Sequence, residues 1–175
     1  MNGSKHGGWA GLAALLCTLA SATANADRQA NDQNFVAQAV QAGMTEVELG
    51  KIAMTKSTNE DVRTFAGLMV REHSQANDEL TGLVKGHDIE VPSTLDEKHR
   101  KTVTELTSKT GADFDAAYAK QMIADHGEAV SLFRSAASAN DLSPALANFA
   151  YRTVPVIEEH KQMAGELETK LEHGE

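Results

Sequence analysis

Apolar residues recur every three or four positions along most of the chain, and no segment alternates as a half-buried strand would. The pattern predicts four long helices, over residues 32–56, 60–85, 113–139 and 144–171, and a shorter one over 95–108. Local signals mark their ends. Thr58 or Asn59 can cap the second helix, Gly86 stops it, Thr110-Gly111 breaks the chain before the third long helix, and Pro144 suits a first turn. The expected fold is an all-α, four-helix bundle with an extra short helix in its middle connection. That connection, residues 86–112, is long enough to cross the bundle, but its length alone does not separate a crossover from an up-down topology.

Each long helix has one inward-facing line. The first follows Phe35, Ala39, Ala42, Gly43, Glu46, Leu49, Gly50 and Ala53; the second Val62, Phe65, Ala66, Met69, Val70, His73, Ala76, Leu80 and Leu83. The third follows Phe114, Tyr118, Met122, His126, Ala129, Phe133 and Ala136. The fourth follows Leu146, Phe149, Ala150, Thr153, Val156, Ile157, His160, Met163, Leu167 and Leu171. Residues 69–76 (MVREHSQA) also echo residues 122–129 (MIADHGEA), which suggests a duplicated hairpin.

The first 26 residues stand apart. Lys5 is followed by an apolar run over residues 9–20 and then by Ala24-Asn25-Ala26, small residues where signal peptidase needs them. The run is shorter than the roughly 20 residues that span a bilayer, and Leu16 before Cys17 does not fit a lipoprotein signal. Residues 1–26 are therefore expected to be a cleaved signal peptide and residues 27–175 a periplasmic or secreted bundle without cysteine. With Lys5 gone, 15 basic residues face 25 acidic ones, a net charge of −10 that disfavours nucleic acid and anionic membranes as partners.

Chemistry enters through four polar residues on otherwise apolar lines. Glu46 lies 12 residues before Thr58 and His73 lies 15 after it, so their heights differ by about 4–5 Å. His126 lies 16 before Leu142 and His160 18 after it, a mismatch of about 3 Å. One residue from each long helix thus reaches one level. Buried imidazoles and a buried carboxylate all need partners, and a divalent ion meets those needs together; a hydrogen-bonded polar layer is the other solution. Glu46 is favoured over Glu48 because its helical neighbours Ala42, Gly43, Leu49 and Gly50 are small or apolar. Glu72, Asp125 and Glu159 each precede a histidine and could hydrogen-bond a ligand on the next helix. Met69, Met122 and Met163 fall near the histidines too, with ordinary packing or a copper-favouring soft layer as readings. Pro155 interrupts the fourth helix one turn before His160.

As a set, residues 45–53 (TEVELGKIA), 65–73 (FAGLMVREH), 114–118 (FDAAY), 122–126 (MIADH) and 154–160 (VPVIEEH) resemble an exported bacterial family, DUF4142. Its members are grouped with ferritin-like bundles and often labelled outer-membrane proteins. The resemblance covers nearly all of residues 27–175 and implies the fold and export, with no established activity. The outer-membrane label finds no barrel strands here. Ferritin-like di-iron sites use Glu-x-x-His, yet the corresponding positions are Val70, Ile123 and Ile157, which argues against di-iron chemistry.

The expected function is binding of one divalent metal by Glu46, His73, His126 and His160, with zinc first and manganese, iron or copper as alternatives. A metal-free envelope stress or protein-interaction module is the rival, and an enzyme ranks last for want of a nucleophile–base pair.

Overall fold

A computed structural model describes residues 10–174 of the chain, with side chains from Asn25 onward. Five helices follow one another: α1 (Ala10–Lys56), α2 (Glu60–Val84), α3 (Glu97–Thr107), α4 (Gly111–Ser138) and α5 (Pro144–His173). Among the described residues no strand occurs, and no helix is long and apolar enough to cross a membrane.

Capping chemistry sets the boundaries. The Asn59 carboxamide oxygen accepts from the N–H groups of Asp61 (2.9 Å) and Val62 (3.1 Å), satisfying two donors that α2 leaves free at its start. Gly86, at φ +85°, turns the chain after α2. Helix α1 differs most from expectation, starting at Ala10 rather than near Asp32. Between residues 12 and 42 the chain has no glycine or proline and is rich in alanine, so nothing breaks the helix. Packing still begins where the apolar pattern does: residues 25–30 are exposed, and Asp32 is the first buried position. Of the expected leader, residues 1–9 lie outside the described residues.

Side-chain pairs across the bundle settle the topology. Phe35 of α1 meets Phe133 of α4 with ring centroids 5.4 Å apart, while Lys56, later in α1, lies 5.5 Å over the ring of Phe114, earlier in α4, so α1 and α4 are antiparallel. On α2 and α5, Asp61 pairs with Lys170 (3.0 Å) and Glu79 with Arg152 (2.9 Å), so these two are antiparallel as well. Phe65 and Tyr118, both early in their helices, sit 6.2 Å apart, which makes α2 and α4 parallel. The middle connection therefore crosses from one end of the bundle to the other, which rules out a plain up-down bundle.

Helix α1 holds that crossover in place. Gln33 donates to the Glu90 carbonyl (2.8 Å) and accepts from the Glu90 N–H (2.7 Å), mimicking a backbone partner. Gln41 does the same further along, donating to the Thr94 carbonyl (2.9 Å) and accepting from the Asp96 N–H (3.0 Å). Lys56 then reaches the Thr107 carbonyl. These contacts satisfy backbone groups of a segment that is otherwise extended and partly buried.

The interior consists of two apolar clusters. One gathers Phe35, Val36, Val40, Leu80, Phe133, Phe149 and Ile157; the other Leu49, Val62, Phe65, Met69, Phe114, Tyr118, Met122 and Leu167. The inward lines read from the sequence hold with one exception. Val156 is 39% exposed and points outward beside Pro155, while Ile157 takes the core position. Helix α5 runs through Pro155 without ending. The proposed hairpin duplication does not fit: it would match α2 with α5, whereas the repeated string lies on the parallel pair α2 and α4.

Candidate metal centre

His73, His126 and His160 meet between the two apolar clusters. Their ring centroids are mutually 5.4 Å apart, and one nitrogen from each lies within 4.8 Å of the other two. Three helices supply them, each histidine standing in a line of apolar residues that turns it inward. His126 and His160 are 1% and 3% exposed. Among the described residues this is the one group of three or more metal-binding side chains at such spacing.

Hydrogen bonds assign the ring nitrogens. His126 Nδ1 lies 2.8 Å from the Met122 carbonyl, which can only accept, so Nδ1 carries the proton and Nε2 the lone pair. That Nε2 lies 3.3 Å from Nε2 of His73. On the other side, His160 Nε2 donates to the Glu72 carboxylate at 2.8 Å, which leaves its Nδ1 as the lone pair. His160 Nδ1 is buried and has no hydrogen-bond partner among the described residues. Two ligands on a tetrahedral zinc stand about 3.3–3.4 Å apart, given Zn–N distances near 2.05 Å. The His73–His126 separation already has that value.

Electrostatics favour neutral rings. Burial, reinforced by the neighbouring imidazoles, pushes His73 down to about 3. Burial likewise lowers His126 to about 4 against the bond that its Nδ1–H donates to the Met122 carbonyl, with His160 adding to the drop. Both rings are unprotonated at neutral pH and present lone pairs. For Glu72, burial works against ionisation, but bonds from His160 and Arg71 outweigh it and hold the carboxyl below its usual range. An ionised Glu72 fixes the orientation of the His160 ring.

Glu46 is the inward carboxylate, 3% exposed, while Glu48 faces solvent. It borders the same cavity as the histidines but does not belong to the three-nitrogen group. Its Oε2 is buried without a partner among the described residues, as are Tyr118 Oη and Asp125 Oδ2. Burial first, then the charge of Asp125, pushes Glu46 well above the usual carboxylate range. Burial and Glu46 together raise the Tyr118 hydroxyl.

Of the three acids preceding a histidine, Glu72 makes the expected bond to a histidine of a neighbouring helix. Asp125 instead accepts from Gln121 at 2.9 Å, and Glu159 is exposed. Met69, Met122 and Met163 all belong to the Tyr118 cluster, on one side of the histidines, as a crossing connection requires. His99 borders the cavity, with its Nδ1 2.7 Å from Asp96, and Asn77 packs against Gly43. Neither carries a role in the sequence reading, His99 because it lies near a helix end and Asn77 because it lies off the apolar line of α2.

Residues 17–167 match the family described as Domain of unknown function (DUF4142). No curated protein and no solved structure matches the chain.

Proposed function

The chain belongs to the DUF4142 family, and we propose that it is an exported metal-binding protein with one mononuclear divalent site in its bundle core. His73 and His126 would bind through Nε2 and His160 through Nδ1, with Glu46 the candidate fourth donor. The observation that carries this reading is the set of unsatisfied buried atoms. A purely hydrogen-bonded layer pairs His73 with His126 but leaves His160 Nδ1 and Glu46 Oε2 without partners. An orphaned buried polar atom costs about 1–3 kcal/mol. A cation held by the three nitrogens would give His160 Nδ1 its partner.

Zinc suits three neutral imidazoles and one carboxylate, with manganese, iron or copper as alternatives. The aliphatic residues Val70, Ile123 and Ile157 supply no carboxylates for a second ion. Export follows from the character of residues 1–26, and a periplasmic or secreted location follows from export. Elemental analysis of protein purified without a histidine tag is expected to give one divalent ion per chain. His126→Ala is expected to lower that to well under 0.2 per chain with the helical content retained. Equal metal content in the variant would refute the site.

A further inference from the structure

The two sides of the histidine layer are unlike. On one side Met69 and Met122, both fully buried, fill the space between helices. One turn away on the other side stand Ala42 and Gly43 on α1, Ala76 on α2 and Ala129 on α4, where larger residues would close the interior. A cavity of about 280 Å³ opens there. The three histidines and Glu46 form one end of it; Leu80, Phe133 and Phe149 line the other. An apolar cavity of about 150 Å³ already accepts benzene, so this one has room for a second small ring.

The charges around it select the occupant. Glu46, Glu72, Asp125 and Glu128 all border the cavity, and Lys98, its one Lys or Arg, is paired with Glu128 at 3.4 Å. An anion would approach through carboxylates, and a protonated nitrogen would have no lone pair to offer the metal. A neutral molecule meets neither obstacle. Three imidazoles on a tetrahedral ion leave one position for Glu46 or for a donor from outside.

We propose that the histidine centre is the polar end of a ligand cavity, and that the cavity takes a compact, uncharged aromatic molecule whose single nitrogen donor reaches the metal. The idea rests on the metal reading above. Its test uses the full chain loaded with cobalt(II), whose visible bands report donor exchange, titrated with 4-phenylimidazole, imidazole and phenylacetate. The cobalt bands are expected to shift with 4-phenylimidazole at least tenfold more tightly than with imidazole, and phenylacetate is expected to bind more weakly than either. Leu80→Phe, at the apolar end and about two turns from His73, is expected to erase the tenfold advantage while cobalt stoichiometry and the imidazole response persist. Ala42→Val serves the same purpose should the first variant fail to fold. Equal affinity for imidazole and 4-phenylimidazole, preference for phenylacetate, or an advantage that survives filling would overturn the cavity proposal and leave the metal site standing. A chain that takes up no cobalt would overturn both.

Discussion

Replacing Glu72 by glutamine tests whether the carboxylate behind His160 tunes the centre. Glu72 accepts from His160 Nε2 at 2.8 Å and is steadied by Arg71 at 3.0 Å. The amide keeps the shape but removes the charge, and losing such an outer partner typically weakens metal binding by about 10–100-fold. At a free metal concentration 100 times the wild-type Kd, binding stabilises the fold by about 2.7 kcal/mol. After a tenfold loss the same metal gives about 1.4 kcal/mol, and after a hundredfold loss about 0.4. The variant should therefore forfeit roughly 1.3–2.3 kcal/mol of metal-induced stability, a Tm increment smaller by about 3–9 °C in a domain of this size. Thermal unfolding in a zinc buffer, run against the same buffer with chelator, measures this directly. A Glu72→Gln protein with the full wild-type increment would show that the charge of Glu72 does not act on the centre.

Three further expectations concern the bundle and its charges. A Cβ on Gly50 would lie 2.8 Å from Val70 Cγ2 and 3.0 Å from the Ala66 carbonyl, whereas one on Gly165 meets nothing within 4 Å. Gly50→Ala should thus destabilise by about 1–3 kcal/mol and Gly165→Ala stabilise by about 0.5–1 kcal/mol; urea titrations giving both the same sign would refute the close approach of α1 and α2. His73 and His126 sit at about 3 and about 4 in the folded protein, below the usual 6.5, so the unfolded chain binds more protons between those values. Metal-free stability is then full above about pH 6.5 and falls as the pH drops toward 4, by on the order of 1.4 kcal/mol per pH unit per histidine. His126→Leu should flatten that slope in denaturant titrations with chelator, and an unchanged slope would count against neutral buried rings. Glu46, held above its normal range by burial and the charge of Asp125, weakens the metal-free fold at neutral pH, so Glu46→Gln should stabilise it in urea titrations with chelator. If Glu46 is a ligand, the same protein binds zinc more weakly; a variant with unaltered zinc affinity would remove Glu46 from the donor set.

Much of the centre was readable from spacing alone. A straight helix has a fixed rise, so counting residues from two turns levelled Glu46 with His73 and His126 with His160, their mid-helix positions joined the two pairs, and small neighbours distinguished Glu46 from Glu48. The crossover was not readable, because a 27-residue segment can return along the bundle or span it. Its anchor, Gln33 and Gln41 bonding backbone groups of the connection, lies in side chains whose partners are more than 50 residues away. Val156 misled because Val156 and Ile157 are both apolar, and the 100° between them decides which is inside. The length of α1 escaped for a different reason. Periodicity reports burial, and the turns before Asp32 bury nothing among the described residues.

A belt of imidazoles between two greasy halves also dictates how the helices may slide. Were α4 to shift along its axis by one turn, about 5.4 Å, His126 would leave His73 and His160 and enter either the level of Ala76 and Ile157 or that of Met69 and Ala164. Hydrocarbon-only interiors tolerate such slippage between near-equivalent packings, as coiled coils without a polar seam residue do. Here the polar belt works as a key that fits at a single axial setting.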